Sequence, residues 1–110
     1  GPMGPWITTS DEIKNPNDLS ITGSLNEEYF TIDHTSNYRF SIEECISEAS
    51  SYFTLEPGDI ISFGTTGKGT EKFPRGHKSL LIGENTGTIN ISIENLGKLS
   101  NPIKHQAGGA

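Results

Sequence analysis

At 110 residues the chain holds one domain or part of one, and with apolar side chains at 31% it can fill only a modest core. No apolar run reaches the ~18–20 residues of a membrane span, no basic-apolar leader opens the sequence, and the lone Cys45 excludes an internal disulfide. A net charge of −6 argues against a general nucleic-acid binder, whose phosphate contacts need Lys and Arg in excess. A cytoplasmic domain with neither nucleic acid nor membrane as partner is the expectation.

Gly1-Pro2 ahead of Met3 reads as the scar of a cleaved tag or as a native loop, and both readings stand for residues 1–3. Trp6-Ile7-Thr8-Thr9 is a short β-prone run, closed by the polar, proline-containing stretch from Ser10 to Asp18. Leu19, Ile21 and Leu25, then Phe30 and Ile32, alternate on either side of Asn26-Glu27, which predicts a hairpin with a bulge at Gly23. Ser41-Ile42-Glu43-Glu44 is a capping box, and Cys45, Ile46, Ala49, Tyr52 and Phe53 follow at helical spacing. The helix is predicted over Ser41 to Ser51, with Cys45 as a buried thiol on its apolar face.

Leu55-Glu56-Pro57-Gly58-Asp59 places Pro and Gly as a type II turn requires. It leads into a predicted buried strand, Ile60-Ile61-Ser62-Phe63, and then the polar glycine loop Gly64-Thr65-Thr66-Gly67-Lys68-Gly69. Leu80-Leu81-Ile82 and a turn around Asn85 to Gly87 follow. Ile89, Ile91 and Ile93 alternate with Asn90, Ser92 and Glu94 in a half-buried strand. Asn95-Leu96-Gly97 turns that strand into a last short one near Leu99, expected to end before Pro102. The architecture is mainly β with one short helix, a sandwich or a roll. Residues 104–110 read as a tail.

The glycine loop fails the Walker A template, because Ser62 stands where a Gly is required and Gly69 where Ser or Thr should follow the lysine. Four of the eight basic residues, Lys68, Lys72, Arg75 and Lys78, lie in or just after it. In an acidic chain they either draw an anion toward the loop or form a solvated surface. His34, His77 and His105 share no metal-ligand spacing with one another or with Cys45, so surface or satisfied histidines are expected. No catalytic constellation closes on the residues alone.

Six segments in order nevertheless resemble the C-terminal half of the fumarylacetoacetate hydrolase family's catalytic domain, over about residues 4–103. Gly4-Pro5-Trp6-Ile7-Thr8-Thr9-Ser10-Asp11-Glu12-Ile13 is similar to its opening strand, and Asn15 to Leu19 to the Asp-Pro-x-x-Leu that follows. Leu25-Asn26-Glu27-Glu28 stands for Val-Asn-Gly-Glu, and His34-Thr35-Ser36-Asn37 for Asn-Thr-Ser-Asn/Asp. Thr54-Leu55-Glu56-Pro57-Gly58-Asp59-Ile60-Ile61, running into Gly64-Thr65, is the most specific match. Ile93-Glu94-Asn95-Leu96-Gly97-Lys98-Leu99-Ser100-Asn101-Pro102 is similar to the closing Glu-Gly-Ile/Leu-Gly-x-Leu-x-Asn-Pro.

The resemblance implies a mixed β-sandwich roll and metal-assisted chemistry on a 2-oxo or 2,4-dioxo carboxylic acid: C–C bond hydrolysis, decarboxylation or isomerisation. It implies Mg²⁺ or Mn²⁺, held by a Glu-x-Glu pair and a later Asp that lie ahead of Gly4 in the family. No Glu-x-Glu occurs in this chain. It implies that Thr65, with Gly64, Thr66 and Lys68 beside it, meets the substrate carboxylate, although Thr66 replaces the Pro of the family's Gly-Thr-Pro. The implied partners are a complementary N-terminal half and a second copy in a homo-oligomer. The alternative is a non-catalytic remnant that binds a small carboxylate or a partner protein.

Overall fold

The computed structural model describes residues 1–106. Its centre is one antiparallel sheet of four strands in the order β2-β1-β3-β4. Strands β1 (Ser20–Leu25) and β2 (Glu28–His34) form the first hairpin, and β3 (Gly87–Ile93) and β4 (Gly97–Ile103) the second. β1 and β3 pair across the middle, with Ile21 opposite Ile93, Gly23 opposite Ile91 and Leu25 opposite Ile89. The strict alternation of β3 thus puts its three isoleucines on one face, beside the apolar side of β1.

Asn26 turns the first hairpin at φ 57°, a left-handed conformation that Asn tolerates. Its side chain also fastens the hairpin to β3: Asn26 Oδ1 accepts from Thr88 N–H at 3.0 Å. The register shifts between Gly23 and Ser24, where the bulge was expected, and the extra residue is Phe30 on the partner strand. A Cβ on Gly23 would stand 2.8 Å from the Phe30 ring and 2.7 Å from Thr31 Cγ2. The missing side chain makes room for that ring.

The helix α1 runs Ile42–Tyr52, with Ser41 as its N-cap. Both halves of the capping box are made: Ser41 Oγ accepts from Glu44 N–H at 3.1 Å, and Glu44 Oε2 from Ser41 N–H at 2.7 Å. Asn17 adds a third contact, its Oδ1 accepting from Ile42 N–H at 2.9 Å. The turn at Glu56 to Asp59 forms as predicted, with Gly58 at φ 97° and Asp59 N–H donating to Glu56 C=O at 3.0 Å.

Four expectations are corrected. Trp6 to Thr9 forms no strand; it is an irregular segment whose Trp6 ring covers Gly97, where a Cβ would meet the ring at 2.6 Å. Ile60 to Phe63 is extended but unpaired among the described residues, and Ile60 is 70% exposed, so the run is not a buried strand. β4 does not stop before Pro102 but passes through it to Ile103. It is an edge strand of this sheet, where a missing N–H costs no ladder bond. Cys45 is half-buried rather than buried. Of the tail, residues 107–110 lie outside the described residues.

The core is small. Leu19 and Phe73 are the buried hydrophobic side chains among the described residues, with Thr35 as the buried polar one. Thr35 and Leu19 close the open end of the first hairpin, Leu19 N–H donating to Thr35 Oγ1 at 2.9 Å and Thr35 N–H to Leu19 C=O at 2.8 Å. The accessible surface is 8476 Å² for 11.9 kDa, where a folded monomer of that mass exposes about 5,900 Å². The radius of gyration is 16.1 Å, against about 13 Å for a compact domain of this length. No helix among the described residues is long and apolar enough to cross a membrane.

Candidate functional site

The isoleucine face of the sheet is not bare at its β2 end. Residues 64–67 and 76–77 lie against it and border an open cavity of about 340 Å³. Ile21, Ile91 and Ile93 form the floor, Phe30, Thr31, Asp33 and Tyr38 one wall, and Gly64 to Gly67 with Gly76 and His77 the other. The bulge contributes directly, because the extra residue in β2 brings Phe30 to this cavity.

The loop is tied down on both sides of Thr65. The Tyr38 hydroxyl donates to Gly64 C=O at 2.6 Å, and the Tyr38 ring lies tilted against Phe63 at 6.4 Å. Thr66 Oγ1 donates to Asp33 Oδ2. The returning segment is fixed as well, by Thr31 Oγ1 donating to Gly76 C=O at 2.6 Å and Gly76 N–H to Phe73 C=O at 2.8 Å. Among the described residues the Thr65 hydroxyl has no such partner. It is a free donor on the cavity wall.

Asp33 is paired in register with Ile21, on the apolar side of the sheet. Burial pushes its carboxyl up, but donation from Asn37, Thr66 and the His34 N–H outweighs this and leaves it below the ordinary carboxylate range. Asn37 Nδ2 and His34 N–H both reach Asp33 Oδ1 at 2.8 Å. Burial, and then the charge of Asp33, push the Tyr38 phenol up, so it stays a neutral donor.

Of the residues singled out in the sequence, Gly64, Thr65 and Thr66 line the cavity and Lys68 does not. Within the basic stretch, Lys78 Nζ pairs with Glu28 Oε1 at 3.3 Å on the surface, and Lys72 Nζ lies 5.6 Å from the Phe73 ring centroid. His34 is a satisfied surface histidine. Its Nδ1 accepts from Ser36 N–H at 3.1 Å, which leaves the proton on Nε2 facing Asp18 at 3.2 Å. His105 Nε2 meets Asn85 C=O at 2.7 Å. Sequence reasoning missed Asp33 and Tyr38; His77, expected at the surface, is exposed and also borders the cavity. Neither carried a signal of its own, because the register that sets Asp33 opposite Ile21 belongs to the paired strands.

The whole arrangement matches a known family. The model of the fumarylacetoacetate hydrolase C-terminal domain matches residues 1–104. The chain belongs to the fumarylacetoacetate hydrolase family. It is 36% identical over 94 residues to maleylpyruvate hydrolase of Aquipseudomonas alcaligenes, covering 86% of this chain and 32% of that protein. It is 37% identical over 103 residues to an uncharacterized protein of Staphylococcus saprophyticus, covering 93% of this chain and 33% of the other. Two crystal structures of maleylpyruvate hydrolase from Sphingobium sp. SYK-6 superpose with a TM-score of 0.71 at 29% and 30% identity. Each alignment covers 90% of this chain and 33% of that one, and the second structure is a complex with manganese(II) and pyruvate. The chain therefore spans about a third of the length of the relatives it matches. The mainly β fold with one short helix is that of these family members over the matched residues.

A divalent cation needs several oxygen ligands around one point. Among the described residues no three His, Cys, Asp or Glu side chains gather to hold one. Asp33, the carboxylate of the cavity, has both oxygens engaged by hydrogen-bond donors. These residues do not fit a metal site.

Proposed function

We propose that residues 4–103 are the carboxylate-binding wall of a divalent-metal-dependent enzyme acting on a 2-oxo or 2,4-dioxo acid. The observation that carries this is the free hydroxyl of Thr65, held over an apolar floor while its neighbours on both sides are anchored. A hydroxyl and a backbone N–H suit a carboxylate, because they donate charge-assisted hydrogen bonds without a mobile charge. The relative solved with manganese(II) and pyruvate, itself a 2-oxo acid, supports this substrate class. The cation, Mg²⁺ or Mn²⁺, its ligands and its Lewis-acid polarisation of the oxo group belong to the portion of the enzyme outside these residues. The excess surface of the chain supports a complementary N-terminal half as its partner. Lys68, outside the lining, steers the anion from a distance.

Two measurements test this reading. Residues 1–110 alone, assayed on acylpyruvates with Mn²⁺ and then with EDTA, give no chelator-sensitive turnover; robust turnover would place a metal site in this chain and overturn the division of labour. In the enzyme completed by its metal-bearing portion, Thr65→Val lowers kcat/KM roughly ten- to a hundredfold, the cost of about 1.5–3 kcal/mol for one charge-assisted bond. An unchanged kcat/KM would mean that the loop is structural and that the carboxylate is held elsewhere.

A further inference from the structure

The sequence from Gly64 to Gly67 has little stiffness of its own. Both glycines sit in the left-handed region, at φ 67° and 68°, and glycine pays the largest entropic cost of being held in one conformation. Thr66 stands where the resemblance would place a proline, whose ring would fix φ and pre-order the preceding residue. Something else must hold Thr65 in place.

Asp33 sits in the position to do so. It lies one residue before the end of β2, its backbone is registered against Ile21, and Asn37 and His34 N–H both grip Oδ1. Its second oxygen is left for one partner, the hydroxyl of Thr66. A carboxylate facing an apolar strand surface costs desolvation unless such donors compensate it. From this geometry we infer that Asp33 is a positioning residue, which locks Thr66 and thereby presents the Thr65 donor to the substrate carboxylate. Tyr38 is the second anchor, on the Gly64 side. The lock replaces by a side-chain hydrogen bond the order that a proline would build into the chain. The inference rests on Thr65 receiving the carboxylate.

A lock of this kind acts through the fraction of molecules whose loop is competent to bind. If the free loop is competent about one-tenth of the time, apparent affinity falls about tenfold while bound molecules react as before. Ground-state and transition-state binding of the carboxylate weaken together, so KM rises and kcat holds.

The test uses the completed, metal-loaded enzyme with pyruvate as competitive probe. Asp33→Ala is expected to raise both KM and the pyruvate Ki about tenfold, with kcat within about twofold. Asp33→Asn, which keeps an acceptor for His34 and Asn37 and can still pair with Thr66, should keep Ki within about threefold. Thr66→Pro in the Asp33→Ala background should restore Ki, because the ring supplies the lost order. Should Asp33→Ala fail to fold, Thr66→Val breaks the same bond while leaving Asp33 in place, and should raise Ki alike. A fall in kcat with Ki unchanged in Asp33→Ala or Thr66→Val would mark Asp33 as merely structural and overturn the inference. Failure of the underlying reading looks different. Thr65→Val with unchanged Ki removes the carboxylate contact and the lock together, whereas a raised Ki in Thr65→Val beside a normal one in Thr66→Val overturns the lock alone.

Discussion

Asp33 carries two jobs that pull its protonation in one direction. The donors that hold it over the cavity stabilise the carboxylate, and they outweigh the desolvation of its partial burial. Its folded-state value therefore lies below its unfolded value of 3.8. Between the two, the unfolded chain binds more protons, so stability rises with pH there. The contribution is complete above the unfolded value and is lost as pH falls through the folded one. Melting temperatures of the completed enzyme between about pH 5 and pH 2.5 should fall more steeply for the native sequence than for Asp33→Asn, which has no charge to lose. Parallel profiles would show that the carboxylate is not stabilised by its partners. The group is only half-buried, so the difference should be small.

At the scale of elements, the second layer of this piece is thin and α1 is held mainly at its start. The Ser41–Glu44 box and Asn17 satisfy the first N–H groups, and Asn17 Nδ2 also reaches Glu43 Oε2 at 2.7 Å, tying the proline-containing stretch to the helix. The side of α1 that carries Cys45 and Ala49 borders an open depression of about 850 Å³, lined also by Phe40, Glu44, Ser47 and Glu48. With so little burial, the cap carries an unusual share of the helix's stability. Ser41→Ala should cost about 1 kcal/mol, read as roughly fivefold faster amide exchange across residues 42–52. Exchange unaffected by the substitution would mean that packing, not capping, holds the helix.

The molecule as a whole exposes more apolar surface than is usual for its size. Ile7 is 94% exposed, Met3 75%, Tyr52 73%, Ile60 70% and Phe53 69%. Scattered apolar residues are ordinary on a surface, but these accompany an accessible area roughly 40% above that of a compact monomer. Residues 1–110 on their own should self-associate in sedimentation experiments as concentration rises, and should bind a hydrophobic dye. A cooperative melt of a dye-free monomer would show that the chain closes its own core. Addition of the metal-bearing portion should suppress both behaviours, because the same surface would then be buried.

Local features of this protein were legible in its residues because they depend on neighbours a few positions away. The Asn26 hairpin, the Ser41 capping box, the Pro57-Gly58 turn and the alternation of Ile89, Ile91 and Ile93 are all of this kind. The glycine loop was legible as a loop, and the fold brings its first four residues to the wall of a cavity. Other features required distant partners. The run from Ile60 to Phe63 carries the composition of a buried strand, but composition cannot supply the neighbour with which a strand must pair. β4 passes Pro102 because it lies at an edge, a fact set by strand order rather than by the strand. The meeting of Asp33 with Thr66, 33 positions apart, follows from the register of β1 against β2 and the path of the loop over the sheet. Tertiary structure alone decided that contact, because a hydrogen bond between side chains needs both ends brought within a few ångströms, and no local rule measures that distance.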